Sequence, residues 1–259
     1  MTLPDSGFEA GSQASDNRGA DGKREMEGWG QSVLNAAASR LAMMESQVRP
    51  NQVTDRRLLA AMGTLPREIF VPQNMSGLAY MEDAIEIFPA IDGAPARYLL
   101  APMVVARLLQ LASVEPHDRV LDVGCGTGYS TAILASLGQS VIGLEPEPEL
   151  ADAARRNLAT LGIANAEIVS GPLPAGWQEA APYDVVFLNG SVPEPPEGIA
   201  AQLAEGGRLV FVRASQKPGV RTGTACLFVM VDGEASGLAH FDASAPLLPG
   251  FLPAPHFVF

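Results

Sequence analysis

The chain is poor in cysteine, histidine and positive charge. Only Cys125 and Cys226 occur in 259 residues, too few for a disulfide scaffold. Cys125 stands between two glycines, a poor place for a structural bridge, so a reducing, cytoplasmic setting is expected. Three histidines and no spaced cluster of Cys, His and carboxylates give no metal constellation. Lys and Arg number 17 against 29 Asp and Glu, for a formal net charge of −12. Nucleic-acid binders neutralise phosphates with a basic face, and no basic cluster occurs here. A DNA or RNA substrate and an anionic membrane surface are both disfavoured. Long apolar runs are missing too: residues 99–106 and 225–231 fall well short of a membrane span. The first residues are polar and acidic, with no basic stretch leading into an apolar one, so no export signal is read.

What is present divides the chain into three parts. Residues 1–30 contain six glycines and six acids but only Leu3 and Phe8 from the Leu/Ile/Val/Phe set. Such a composition cannot bury enough apolar surface to offset ordering entropy, and a disordered polar tail is expected, with ordering against a partner as the alternative. Residues 31–114 read as a helical and irregular cap. Within it, helical spacing runs to about Ser46, and Pro50 ends that helix. Thr54 is placed as the N-cap of a short helix that Gly63 stops. The proline-bracketed segment 65–72 reads as extended, 73–98 as irregular and 101–112 as an amphipathic helix.

Residues 115–259 alternate strands and helices. Strands are expected at 119–123, 140–144, 166–169, 183–188 and 208–212, with helices at 127–137, 148–161 and 198–204 between them. Strands near 224–231 and 237–243 follow one another through Asp232-Gly233, a hairpin signal. The fold class is therefore α/β: a Rossmann-like, doubly wound, mostly parallel seven-stranded sheet with an antiparallel terminal hairpin.

The strongest local signal is Asp122-Val123-Gly124-Cys125-Gly126-Thr127-Gly128, where a buried strand runs into three alternating glycines and then a helix. Glycine permits the tight turn and lets a ligand approach the main chain. The third glycine falls one position earlier than in the dinucleotide pattern G-x-G-x-x-G, and no Gly-Lys-Ser/Thr follows, which excludes a P-loop. Glu145 closes the next strand 21 positions after Gly124, where a carboxylate can accept both hydroxyls of a ribose.

Asp-x-Gly-x-Gly-x-Gly resembles motif I of the class I methyltransferases, in which the loop carries the methionine moiety of S-adenosyl-L-methionine. Segments outside the loop resemble the protein-L-isoaspartate O-methyltransferases. Leu65-Pro66-Arg67-Glu68-Ile69-Phe70-Val71-Pro72 is close to that family's V-P-R-E-x-F-V-P, and Ala79-Tyr80-Met81-Glu82-Asp83 matches A-Y-x-D with one residue inserted. Ala101-Pro102-Met103-Val104-Val105-Ala106 is similar to Q-P-x-M-V-A. Tyr183–Val186 and Leu203–Val210 match the family's later strand regions. The resemblance spans roughly Ser39 to Arg213 and implies a methyltransferase using S-adenosyl-L-methionine, with Asp122, Gly124, Cys125, Gly126, Thr127, Gly128 and Glu145 on the cofactor side.

Two departures from the family stand out. Its T-I-S-x-P becomes Tyr98-Leu99-Leu100-Ala101-Pro102, so Leu100 replaces the serine implicated in substrate handling, and the catalytic group is left unassigned. Its G-D-G becomes Gly171-Pro172-Leu173, so Pro172 and Leu173 stand where an acid usually contacts adenine. Asn189 follows the fourth strand of this sheet and is grouped with the cofactor residues, with a polar turn residue as the alternative. Tyr80, Asp83 and Leu100 are the substrate-side candidates. His117 precedes the first strand, at the wrong end of a parallel sheet for chemistry.

Three activities fit these residues. They are carboxyl O-methylation of isoaspartyl residues in proteins, methylation of another protein or small-molecule acceptor, and non-catalytic cofactor binding or interaction with a partner protein. Leu100 separates the first from the others, and on that ground an isoaspartyl peptide is expected to be methylated slowly or not at all. The oligomeric state is open.

Overall fold

The computed structural model describes residues 35–91, 93–215 and 222–251; the expected tail at 1–30 and His256 lie outside them. Five consecutive strands form a parallel core: β3 (Arg119–Val123), β4 (Ser140–Leu144), β5 (Ala166–Val169), β6 (Tyr183–Val192) and β7 (Leu203–Arg213). Two antiparallel strands, β8 (Thr222–Val231) and β9 (Glu234–Ser244), extend the sheet, giving the order β5-β4-β3-β6-β7-β8-β9. The expected Rossmann-like α/β sheet of seven strands is therefore present. Asp232 and Gly233, at φ 52° and 80°, form the turn of the terminal hairpin, the left-handed pair that a two-residue connection requires.

Val120, Leu121 and Val123 are buried on both faces of β3, the apolar run that a strand covered on both sides demands. Helices α4 (Tyr129–Ala135) and α5 (Pro148–Thr160) return the chain from β3 and β4. Leu150, Ala151, Ala154 and Leu158 place the apolar stripe of α5 against the sheet. The strand order reverses beside β3, which pairs with β4 on one side and β6 on the other. In such sheets the crevice at the carboxyl ends of the strands next to this reversal holds the ligand.

The N-terminal part differs from the sequence reading in several places. Helix α1 (35–43) continues through a π-helical turn, Met44–Val48, and a 3-10 turn containing Pro50. Asp55, not Thr54, caps α2 (Arg56–Thr64), accepting from the Arg57 and Leu58 N–H groups; α2 also continues through Gly63. The segment expected to be extended holds a 3-10 turn at Arg67–Phe70, held by Arg67. That guanidinium is wholly buried, donates to the carbonyls of Ala79 and Leu100 at 2.6 Å each, and lies 4.8 Å from the Tyr129 ring centroid.

The stretch expected to be irregular contains a separate hairpin, β1 (Ile85–Phe88) paired with β2 (Arg97–Leu99). Ile85, Leu99 and Leu100 anchor it in a cluster that also holds Phe70, Val105 and Tyr129. α3 (Pro102–Ala112) then leads to β3, with Pro102 at its first position.

Candidate active site

The loop after β3 shows why its glycines alternate. Gly124, Gly126 and Gly128 have φ of 81°, 57° and 92°, backbone that only glycine adopts without strain. The Gly124 N–H donates to the Leu144 carbonyl at 2.8 Å, stitching the loop to the end of β4. Thr127 Oγ1 donates to the Phe70 carbonyl at 2.6 Å, and Asn157 Nδ2 donates to the Thr127 carbonyl at 3.0 Å. The loop is thereby fixed to the cap on one side and to α5 on the other.

Beneath the loop lies a buried polar chain. Asp122 Oδ2 accepts from Ser130 Oγ at 2.6 Å and from Thr131 Oγ1 at 2.7 Å, while Asn189 Nδ2 donates to Ser130 Oγ at 2.8 Å. Asp122 Oδ1 is buried with no hydrogen-bond partner among the described residues. Burial pushes the Asp122 carboxyl up to about 6, against the opposing pull of the two hydroxyls. An unpartnered buried carboxylate oxygen is costly to hold, and it suits a cationic ligand group. Burial also raises the Cys125 thiol well above its usual range, which argues against a thiolate nucleophile.

Glu145 follows β4 and has no exposure to solvent. Its Oε2 accepts from the Gly126 N–H at 2.8 Å and its Oε1 from the Glu147 N–H at 3.2 Å. Arg97 of β2 pairs with it through both terminal nitrogens: Nη1 donates to Oε1, and Nη2 donates to Oε2 at 2.9 Å and to the Gly124 carbonyl at 3.1 Å. Leu173 is buried near Gly124, whereas Pro172 is exposed. The chain after β9 returns to the same place. Ser191 donates its N–H to the Pro246 carbonyl at 2.8 Å, and the Leu248 N–H donates to the Ser191 carbonyl at 2.9 Å. The Leu248 side chain then packs over Gly124 and Gly190, where an added Cβ would meet it at 2.8 and 2.7 Å.

The candidates therefore separate. Asp122, Gly124, Gly126, Glu145 and Leu173 converge at the carboxyl ends of β3 and β4, and Asn189 reaches Asp122 through Ser130. Tyr80 lies in the cap, its hydroxyl donating to Glu68 and accepting from Arg40 Nε at 3.2 Å. Asp83 is exposed, and the Leu100 side chain is buried at 2% exposure among Leu99, Ala101 and their neighbours. Arg97, Ser130, Thr131 and Leu248 were not singled out from the sequence. Ser130 and Thr131 could have been, as hydroxyls in the first turn after the glycines; Arg97 and Leu248 carry no spacing signal. His117 and His240 are exposed. An open groove of about 280 Å³ lies between Val71, Phe88, Thr127, Leu150 and Arg156, but neither Asp122 nor Glu145 lines it.

Residues 38–217 match the family model described as protein-L-isoaspartate(D-aspartate) O-methyltransferase. The chain belongs to this family. Similar curated proteins named protein-L-isoaspartate O-methyltransferase include one from Methanoculleus marisnigri, 38% identical over 168 residues, covering 65% of this chain and 74% of the relative. Another, from Methylorubrum populi, is 39% identical over 174 residues, covering 67% and 79%. A solved protein-L-isoaspartate O-methyltransferase superposes with a TM-score of 0.69 at 28% identity, over 82% of this chain and 67% of that one. A Plasmodium falciparum structure titled as a complex with S-adenosyl-L-homocysteine superposes with a TM-score of 0.66 over 80% and 96%; at 22% identity it shows the shared fold. Members of the protein-L-isoaspartate O-methyltransferase family use S-adenosylmethionine as methyl donor, and this chain is a methyltransferase of that kind. No helix among the described residues is long and apolar enough to cross a membrane.

Proposed function

We propose that this protein transfers a methyl group from S-adenosylmethionine to the free carboxylate of an isoaspartyl residue in a damaged protein. The family match supports the reaction, and the cradle built on Asp122, Gly124, Gly126 and Glu145 supports the donor. Asp122 Oδ1, buried without a partner, suits the ammonium of the methionine moiety. Glu145 suits the ribose diol, Leu173 the neighbouring base, and the glycine loop the methionine moiety. When bound, S-adenosylmethionine supplies an already activated methyl group. The protein's own task is to orient the acceptor and exclude water.

A carboxylate acceptor needs no general base. That agrees with a site whose described histidines, His117 and His240, are solvent-exposed. The test is transfer of tritiated methyl from labelled S-adenosylmethionine to an isoaspartyl peptide, with the aspartyl isomer as control. Base-labile label on the isoaspartyl peptide alone supports the proposal; equal label on both, or none on either, overturns it.

A further inference from the structure

The two oxygens of Glu145 hold four hydrogen bonds: Arg97 Nη1 and the Glu147 N–H on Oε1, Arg97 Nη2 and the Gly126 N–H on Oε2. A carboxylate offers about four lone-pair sites, so none is left for the two hydroxyls of a ribose. The two backbone donors belong to the glycine loop and the start of α5 and cannot leave without unfolding them. Arg97 is the one side-chain donor of the set. Its Nη2 also reaches the Gly124 carbonyl, so a single guanidinium spans the space between the ribose carboxylate and the glycine loop.

The hairpin that carries Arg97 is a separate two-stranded ribbon. β1 has four residues and β2 three, they pair with each other and not with the main sheet, and their register is broken between Glu86 and Phe88. Two-stranded ribbons of this size are marginally stable alone and depend on what they pack against. Ile87 supplies one such contact, its Cδ1 lying 2.8 Å from where a Cβ on Gly126 would stand. Hairpin and guanidinium therefore cover the same loop together.

We propose that Arg97 is an internal occupant of the nucleoside subsite: its ion pair with Glu145 closes the cradle, and the donor binds only as that pair breaks and the β1–β2 hairpin withdraws. The proposal rests on reading Glu145 as the ribose acceptor. Observed affinity is then the intrinsic affinity scaled down by the fraction of molecules in which the pair is open. The donor's product, S-adenosylhomocysteine, is the probe, because it carries the same ribose and cannot react.

Calorimetry on the full chain and on Arg97→Gln decides the matter. The variant is expected to bind S-adenosylhomocysteine about tenfold tighter or more than the parent. Equal affinities overturn the proposal while leaving the cradle intact as a nucleoside site. A folded variant that binds nothing overturns both. A second measurement does not depend on the variant folding: phenylglyoxal labelling of the wild-type chain, read by peptide mapping. Arg97, 4% exposed, is expected to resist the reagent alone and to gain reactivity as S-adenosylhomocysteine is added. Unchanged reactivity at every ligand concentration overturns the proposal.

Discussion

Arg67 Nη2 donates to the carbonyl of Leu100 at 2.6 Å, so the residue standing in the family's serine position engages a functional group through its backbone while its side chain faces the core. The hydroxyl of a serine at this position would enter a hydrophobic cluster rather than an open acceptor pocket. Leu100→Ser is accordingly expected to lower the unfolding free energy by about 2–4 kcal/mol, from lost burial and a stranded hydroxyl. Urea denaturation checks the loss. Methyl transfer to an isoaspartyl peptide should not rise; a gain would place Leu100 at the acceptor after all.

Arg67 itself spans two carbonyls from separate segments of the cap, those of Ala79 and Leu100. A lysine has a point charge in place of the planar fork and cannot reproduce both bonds with the same stacking on Tyr129. Arg67→Lys should cost about 2–4 kcal/mol of stability, the penalty of stranding a buried carbonyl and a desolvated charge. Denaturant titration that finds the variant as stable as the parent would refute this account of the 3-10 turn.

The buried Asp122 carboxyl, raised to about 6, carries a pH signature. Because its folded value exceeds its unfolded one, the proton is held more tightly in the native state. Its contribution to stability is present below about pH 4 and lost as pH rises through about 6. The rise corresponds to about 3 kcal/mol. Asp122→Asn should remove this component, so that from pH 4 to 7 the parent loses stability relative to the variant. In addition, S-adenosylhomocysteine, which brings an ammonium, should bind the parent more tightly as pH rises through 6 and the variant without that trend. Calorimetry across the range tests both the slope and its absence.

Gly128 combines a φ of 92° with an approach to α5 so close that a Cβ would stand 3.2 Å from the Ala154 Cβ and 3.3 Å from its Cα. Gly128→Ala should therefore destabilise by about 1–3 kcal/mol, from left-handed strain and crowding together. Thermal melts of the two proteins measure it. A neutral outcome would mean that α4 and α5 can part without consequence.

The parallel core was legible because its strands are short apolar runs bounded by glycine or a turn. Arg119–Val123, Ser140–Leu144 and Ala166–Val169 have the expected bounds. The cap was not, because tertiary contacts decide it: Arg67–Phe70 coils around a buried guanidinium, and β1 and β2 are too short for a period to register. At the site, Asp122, the glycines and Glu145 follow from a local rule relating a strand end to the turn after it. Arg97 follows from none. Its partner lies 48 positions away, and an arginine beginning a three-residue strand reads as a solvated side chain until the fold brings Glu145 to it. Leu248 likewise depends on where the chain returns after β9.

The largest apolar cluster begins at Met43, in the first described helix, and is completed by Ala225, Ala243 and Ala245. Helix α3, inside this cluster, packs against β7 and β8 and so finds part of its packing only after those far later strands have been made. Contacts at such sequence separation slow folding and leave apolar surface uncovered in the meantime. During synthesis α3 stays partly uncovered until β7 and β8 arrive, which makes the interval before those strands are added the period of greatest risk of aggregation for this enzyme.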